Sequence, residues 1–342
     1  MASTATLRIS PQEMKAMFSF LLLHFDFSET DAAACADIFT QNSIDGVYSH
    51  GVNRFPRFID YLKKGYILPK NKPILKNKMG AIEQWDGTMA SGPLNAVFAT
   101  DQAMSLAQEH GIGCVALSRT NHWMRGGYYG WYAAKKGFIY LAWTNTTAIM
   151  PAWGASTPKL GNNPLVIAVP YRDEAVVLDM SLSQFSYGAM ELAASKNEKL
   201  PVAGGYDQSG NLTDDPRLIL DSMRTLPIGF WKGSGLSFVL DVLAAVLADG
   251  HAVHQVAQEA AEISSSQIFI TIDPIKLAGY KNTDKAIDQI IKNLKSSIPV
   301  NAFSQIRYPG ERAVANRKEN IANGIPVLQT VWEEIENLGK EF

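Results

Sequence analysis

Residues 48–58 read Tyr-Ser-His-Gly-Val-Asn-Arg-Phe-Pro-Arg-Phe, and their pattern predicts a helix that begins at His50 and ends near Gly65. With a helix start at His50, Arg54 lies four residues further on and presents its side chain on the same helix face. An imidazole exchanges protons near neutral pH, and a guanidinium binds a carboxylate through two parallel hydrogen bonds. The pair suits an enzyme that protonates the oxygen of a 2-oxo acid while it holds the carboxylate. The alternative is a helix-start histidine bonded to backbone, beside a solvated arginine.

Length and composition indicate a globular protein with two lobes. The chain has 342 residues, which is too long for a comfortable single core. Its 46% hydrophobic and 19% charged residues are ordinary for a soluble protein. The balance of 31 Lys and Arg against 33 Asp and Glu excludes a basic field for nucleic acid or anionic lipid. No apolar run of roughly 18–20 residues is apparent, so we expect no membrane span.

The N-terminal residues and the cysteines predict a cytosolic protein. Residues 1–8 lack a positively charged start followed by an apolar segment, so no signal peptide is recognised. Cys35 and Cys114 lie in apolar helix-like and strand-like contexts. Such contexts are typical of buried free thiols rather than of a disulfide or a metal site.

Hydrophobic periodicity predicts helices at both ends of the chain and a mixed middle. Ser10, followed by a proline, opens one helix, and Ser28 opens a second that reaches about Ser43. In the middle we predict strands at residues 114–118, 138–143, 165–169, 176–180 and 266–272, and helices at 95–110, 130–136, 185–194 and 236–248. We therefore predict a helical lobe of residues 1–75 and 300–342 around an inserted α/β lobe of residues 76–299.

Two glycine-rich stretches are candidates for a phosphate-binding turn. Residues 111–116 satisfy the letters of the Rossmann fingerprint, but they follow a predicted helix and enter a strand, which is the wrong order. The stretch Trp231-Lys232-Gly-Ser-Gly leads into the apolar helix predicted from Leu236, where free backbone amides and a lysine would suit a phosphate. A flexible turn before a core helix explains these residues equally well.

Other chemistries have little support in the sequence. There is no Walker A, Cys-x-x-Cys, His-Glu-x-x-His or Gly-x-Ser-x-Gly motif. His251 and His254 are three residues apart but have no third ligand nearby, so we expect surface or helix-cap roles and no metal. His122 follows a strand end, where α/β lobes present functional loops, although a structural loop histidine is equally consistent. Asp179 follows an apolar run and is expected at a strand end beside a ligand.

Several stretches carry a recognisable pattern in the same order: residues 48–58, 80–86, 120–130, 142–145, 150–155, 179–188 and 230–236. With them the chain resembles the type 2 malate/L-lactate dehydrogenase family, which also contains the L-sulfolactate and ureidoglycolate dehydrogenases. The resemblance runs from the N-terminal helices to about Asn323. Most members read Asn-His-Phe-Gly where this chain reads Asn-His-Trp-Met-Arg-Gly-Gly. That variant resembles the branch that reduces 2,3-diketo-L-gulonate.

The resemblance implies an α/β (α+β) fold of the non-Rossmann, L-sulfolactate dehydrogenase-like kind, with a largely antiparallel cofactor-binding sheet and a helical lobe from both termini. It implies NADH as the cofactor, with NADPH as the alternative. The cofactor-binding residues that it implies are Ala175, Val176, Val177, Leu178, Asp179, Met180, Ser181, Trp231, Lys232, Gly310, Glu311 and Arg312.

By the same resemblance, His50 donates the proton, Ser49 and Arg54 fix the substrate, and Asn121 and His122 are further substrate contacts. The expected reaction is reduction of a 2-oxo sugar acid, 2,3-diketo-L-gulonate, to 3-dehydro-L-gulonate. A malate/L-lactate-type dehydrogenase and a catalytically silent cofactor-binding protein remain the alternatives. The resemblance also implies a homodimer to which the terminal helices contribute.

Overall fold

The chain folds into helices that flank one large mixed sheet. A computed structural model describes residues 5–277, 283–301, 305–340 and 342, so parts of both predicted lobes lie outside the described residues. The helices are α1 Pro11–Leu23, α2 Glu29–Ile44, α3 Phe55–Lys63, α4 Gly92–His110, α5 Gly126–Lys135, α6 Tyr187–Ser195, α7 Pro216–Ser222, α8 Trp231–Ala248, α9 Val253–Val256, α10 Thr283–Lys295, α11 Glu311–Asn323 and α12 Gln329–Gly339. Short 3₁₀ turns cover Tyr48–His50, Val52–Arg54 and Pro274–Lys276.

The strands form one seven-stranded sheet and three small two-stranded pairs. They are β1 Thr6–Ile9, β2 Ile74–Met79, β3 Ile82–Asp86, β4 Ile112–Thr120, β5 Ile139–Thr144, β6 Met150–Pro151, β7 Pro158–Leu160, β8 Leu165–Tyr171, β9 Glu174–Met180, β10 Gly205–Tyr206, β11 Leu212–Thr213, β12 Ser265–Ile272 and β13 Ile325–Leu328. The large sheet has the order β2-β3-β4-β12-β5-β8-β9, and only the β3–β4 pair is parallel. The prediction of a mixed α/β protein with a largely antiparallel sheet is confirmed.

The first two helices begin where their capping residues predict. The Ser10 hydroxyl accepts the Glu13 N–H at 3.1 Å, and proline occupies the first turn of α1. The Ser28 hydroxyl accepts the Asp31 N–H at 3.1 Å at the start of α2. Each serine thereby satisfies an amide that the helix itself leaves without a partner.

The helix predicted to begin at His50 begins instead at Phe55. Residues 48–54 form two 3₁₀ turns separated by Gly51. The Ser43 hydroxyl accepts the Val52 N–H at 2.9 Å, which draws this segment against α2. A Cβ on Gly51 would lie 2.2 Å from that hydroxyl oxygen, so the approach requires glycine. A contact from a distant helix has overridden the local pattern.

The large sheet separates two cores because successive side chains of a strand point to opposite faces. On β12, Phe269 joins the core beneath α4 and α5, whereas Ile268 joins the core beneath α8. On β4, Leu117 and Ala116 divide in the same way. Both faces of the central strands are therefore buried, and the sheet provides a rigid frame for the loops at its ends.

A third core joins segments from both ends of the chain. Strand β1 pairs antiparallel with β13, with Ile9 opposite Ile325. Beside this pair, Phe18 and Phe55 stack with ring centroids 3.9 Å apart, and Phe39 meets Phe55 edge-on at 5.1 Å. This core fixes the segment that carries His50. The lobe bounds 1–75 with 300–342, and 76–299, stay a prediction.

Helix α8 begins earlier than predicted. It starts at Trp231 rather than at Leu236, and the Lys232 N–H donates to the Gly229 carbonyl at 3.2 Å. The Gly233 N–H is also bonded within the chain, at 2.9 Å to a backbone carbonyl. The glycine-rich stretch is therefore the first helical turn, and these two amides are not the free phosphate-binding groups that its sequence suggested.

Helix α8 is more apolar than its sequence suggested. With 18 residues, it is long and apolar enough to cross a membrane by length and composition alone, a test that a core helix of a globular protein also passes. Lys232 and Asp241 interrupt the apolar run and concealed it in the sequence. Its inner side packs on the sheet through Leu240, whereas Phe238 and Val246 on its outer side are 60% and 70% exposed.

Candidate active site

His50 lies in a 3₁₀ turn that neighbouring helices hold in place. The side-chain amide of Asn42, on α2, donates to the His50 carbonyl at 3.0 Å. The Ser49 hydroxyl lies 3.0 Å from His50 Nδ1, so Nε2 is the ring nitrogen left for other partners. A Cβ on Gly188 of α6 would come within 2.4 Å of the Ser49 Cβ. The backbone of α6 thus packs directly against the residue beside the imidazole.

His50 and His122 form a stacked pair of imidazoles. Their ring centroids are 5.7 Å apart at an interplanar angle of 21°. The Met124 N–H donates to His122 Nδ1 at 2.9 Å, so the neutral ring carries its proton on Nε2. Burial, and then the charges of Arg54 and Arg125, lower the pKa of His50 to about 4. Burial and Arg54 also hold the pKa of His122 well below its usual value, so both rings are neutral at pH 7.

Arg54 lies beside this pair with Glu262 as its counter-ion. The two side chains are each 19% exposed, and Arg54 Nη2 lies 3.7 Å from Glu262 Oε2. Burial lowers the pKa of Arg54, and the nearby carboxylate opposes that effect. Burial raises the pKa of Glu262, while the charges of Arg54 and Arg57 act in the opposite direction. A guanidinium next to a neutral imidazole can bind a carboxylate and leave the imidazole to exchange a proton.

These side chains line one cavity of about 740 Å³. A volume of this size suits a small ligand and part of a cofactor, since such sites typically enclose about 300–1,000 Å³. Further polar side chains in the lining are Asp45, Arg57, Tyr61, Thr146, Asn162, Tyr187, Glu191 and Glu259. The cavity therefore combines proton-exchanging, cationic and anionic groups.

Part of the cavity wall is a network of buried charges. Asp45, at the C-terminal end of α2, accepts hydrogen bonds from Arg125 at 2.5 Å and from Arg317 at 2.7 Å. Arg125 Nε lies 3.4 Å from an Asp179 oxygen, and that oxygen accepts the Gly127 N–H at 3.0 Å. The network ties α2, the start of α5, strand β9 and α11 together around the cavity.

The residues predicted to bind the cofactor divide into two groups. Those that line the cavity are Val177, Asp179, Ser181, Gly310 and Arg312. Those outside its lining are Ala175, Val176, Leu178, Met180, Trp231, Lys232 and Glu311. Alternation along β9 explains part of this division, because every second residue faces away from the cavity.

Two residues that were predicted to contact a ligand lie in other environments in the structure. The side-chain amide of Asn121 donates to the carbonyls of Met89 and Ala90 at 3.0 Å, so it braces the loop that carries His122. Trp231 is 66% exposed at the start of α8. Ligand contacts by these residues stay predictions, whereas Ser49, His50, Arg54 and His122 are brought together.

Sequence reasoning missed several charged residues of the cavity. Arg57 and Arg125 lie inside the stretches that carried the family resemblance, so their position was a usable signal. Asp45, Glu191 and Glu262 come from separate segments and belong to no recognisable motif. Only the fold brings these carboxylates to the cavity.

A family model described as malate/L-lactate dehydrogenase matches residues 9–336. The chain belongs to this family. It is 46% identical to the 2,3-diketo-L-gulonate reductase of Pasteurella multocida and 44% identical to that of Citrobacter koseri, in each case over 97% of this chain and 100% of the relative. Among solved structures, the sulfolactate dehydrogenase of Methanocaldococcus jannaschii has a TM-score of 0.89 and 28% identity, covering 98% of this chain and 97% of that one.

Membership of the malate/L-lactate dehydrogenase family confirms the resemblance recognised in the sequence. The chain is an oxidoreductase that acts on CH–OH groups, and the family implies a nicotinamide cofactor. In this family member the cavity places two imidazoles, which can exchange protons, beside the guanidinium of Arg54, which can bind a carboxylate.

We predict that both imidazoles titrate below the usual range of histidine, because burial and nearby guanidinium groups disfavour their charged forms. NMR titration of protein labelled at histidine Cε1 measures this directly, with signals assigned from His50→Ala and His122→Ala. The His50 signal should move with a midpoint near pH 4, and the His122 signal should move with a midpoint well below the usual value for histidine. A midpoint at or above 6.5 for either ring would contradict the electrostatic description of the cavity.

Proposed function

We propose that this protein catalyses NAD(P)H-dependent reduction of 2,3-diketo-L-gulonate to 3-dehydro-L-gulonate, with His50 as the proton donor. The observation that carries the proposal is the position of His50 and Arg54 on one cavity, beside the stacked ring of His122. The names of relatives that are 44–46% identical over their full length support this choice of substrate. We propose a cytosolic location for the reaction.

The residues present fit a nicotinamide dinucleotide. Val177, Asp179, Ser181, Gly310 and Arg312 line one side of the cavity. Gly310 has a φ of 95°, and a Cβ there would lie 3.1 Å from the Val177 amide nitrogen, so glycine lets the start of α11 lie against β9. In this non-Rossmann, L-sulfolactate dehydrogenase-like arrangement, these residues would hold the cofactor. We take NADH as the cofactor, with NADPH as the alternative that Arg312 could serve.

When bound, a reduced nicotinamide would supply the hydride that the substrate carbonyl carbon accepts. Arg54 holds the substrate carboxylate, which cancels part of the positive charge that lowers the pKa of His50. The imidazole then takes up a proton more readily and delivers it from Nε2 to the carbonyl oxygen, while Ser49 fixes Nδ1. His122, with its proton on Nε2, can donate a second hydrogen bond to the substrate. In the reverse direction neutral His50 accepts the proton.

Two other functions fit fewer of the observations. A malate/L-lactate-type dehydrogenase would use the same proton donor and arginine, and only relative kcat/KM values separate it from the proposed activity. A catalytically silent cofactor-binding protein would not need the imidazole pair beside Arg54. Binding of NADH without turnover of any 2-oxo acid would favour that second alternative.

A homodimer is part of the same proposal. Phe238, Val239 and Val246 form an exposed apolar face on α8, and Trp153 and Phe230 pack together with ring centroids 4.9 Å apart close to the start of this helix. Covering such a face removes apolar surface from water, and a second copy of the chain provides the same surface.

The proposed activity predicts loss of nicotinamide absorbance at 340 nm with 2,3-diketo-L-gulonate at a kcat/KM above that for pyruvate or oxaloacetate. His50→Ala should lower kcat by about 10²–10⁴-fold, because general acid catalysis typically contributes that much. Arg54→Ala should act mainly on KM, since the carboxylate is held in the ground and transition states alike. An unimpaired His50→Ala enzyme would refute the assignment of His50 as the proton donor.

The choice of cofactor is tested by kcat/KM for NADH and NADPH with one substrate. A tenfold preference for NADPH, about 1.4 kcal/mol, would overturn the choice of NADH.

The dimer predicts a particle of twice 37.5 kDa in sedimentation equilibrium. Val246→Glu should produce the monomer, because a carboxylate would have to be buried in the interface. Ile290→Glu is the matched control, since Ile290 has a similar exposure of 66% but lies on a different helix, α10, and it should leave the mass unchanged. A dimer that survives both Val246→Glu and Phe238→Glu would exclude α8 and favour the terminal helices.

A further inference from the structure

Glu262 is a charged cavity residue that the proposed reaction does not use. It lies in the segment between α9 and β12 and lines the cavity beside Arg54. The separation of 3.7 Å between Arg54 Nη2 and Glu262 Oε2 is too long for a hydrogen bond, so the carboxylate does not occupy the donors of the guanidinium. The guanidinium and the carboxylate can therefore each bind a ligand, and at 3.7 Å they still attract each other electrostatically.

Arg54 shares the cavity with a second guanidinium group, that of Arg57. The charge of Arg57 acts on Arg54, on Glu262 and on His122. In the empty cavity the neighbouring imidazoles are neutral, and Tyr61 contributes a hydroxyl group. Arg54, Arg57 and the half-buried Glu262 together carry a single positive charge, which one substrate carboxylate neutralises.

Glu191 is a second carboxylate that acts on Arg54, from α6. Unlike Glu262, which is half-buried, it lies on an exposed position at the cavity. Water and salt screen an exposed charge far more effectively than a partly buried one. The carboxylate of Glu191 should therefore have a weaker electrostatic effect on a bound substrate than the carboxylate of Glu262.

We propose that Glu262 sets the substrate class by fixing the charge of the carboxylate-binding site, so that 2-oxo acids with one carboxylate are preferred over 2-oxo dicarboxylic acids. A second carboxylate would meet the negative charge of Glu262 after the first carboxylate has already neutralised the net positive charge of Arg54, Arg57 and Glu262. The hydroxyl groups of a sugar acid carry no charge, and Glu262 can accept hydrogen bonds from them. This inference rests on the proposed function, because it needs a 2-oxo acid bound at Arg54.

Pyruvate and oxaloacetate form the sharpest pair for a test, since they differ by one carboxylate. The quantity measured is the ratio of kcat/KM for oxaloacetate to that for pyruvate, with 2,3-diketo-L-gulonate assayed alongside. Glu262→Gln should raise the ratio at least tenfold, because it leaves both guanidinium charges available. Glu262→Asp, which keeps the charge, should keep the ratio of the unmodified enzyme. Glu262→Ala removes the same charge, so the test does not depend on one variant folding.

Glu191→Gln is the matched control, because it removes one carboxylate charge near Arg54 at an exposed position. It should change the ratio by about threefold or less, as expected for a screened charge. If Glu262→Gln lowers kcat/KM by the same factor for oxaloacetate and for pyruvate, the ratio stays unchanged. That result would show that Glu262 only positions Arg54, and it would overturn the proposal. An effect of Glu191→Gln as large as that of Glu262→Gln would overturn it as well. An unmodified enzyme that reduces no 2-oxo acid would refute the proposed function instead.

Discussion

The arrangement of the cavity depends on Asp45, a carboxylate that is almost completely buried between two guanidinium groups. Arg125 reaches it from the loop before α5 and Arg317 from α11, at 2.5 and 2.7 Å. A buried carboxylate is tolerated only when it is paired, so the three segments must come together for the chain to fold. Because Arg125 also meets Asp179, the same pairing positions β9 beside the turn that carries His50.

Charge also determines the chemistry that the cavity can perform. Burial, and then the positive charges of Arg54 and Arg125, keep His50 neutral when no anion is bound. A carboxylate on Arg54 reduces this positive field, so substrate binding and proton uptake by His50 favour each other. In the proposed reaction His50 can then take up the proton that it delivers to the substrate, and the empty site does not hold an isolated imidazolium.

The sequence predicted local features well and long-range contacts poorly. Capping residues placed the starts of α1 and α2, and the family resemblance implied a largely antiparallel sheet that strand patterns alone could not establish. The helix start at His50 was misplaced because Ser43, on another helix, captures the following backbone. Glu262 could not be found, because its role depends on its distance from Arg54 rather than on its neighbours in the sequence.

A crystal structure with oxidised cofactor and a bound 2-hydroxy sugar acid would test the proposed roles of His50 and Arg54. We predict that His50 Nε2 lies within about 2.6–3.2 Å of the 2-hydroxyl oxygen, as proton transfer requires. We also predict that the Arg54 guanidinium contacts the ligand carboxylate. A ligand whose 2-hydroxyl lies away from His50, or whose carboxylate is held by residues other than Arg54, would refute these roles.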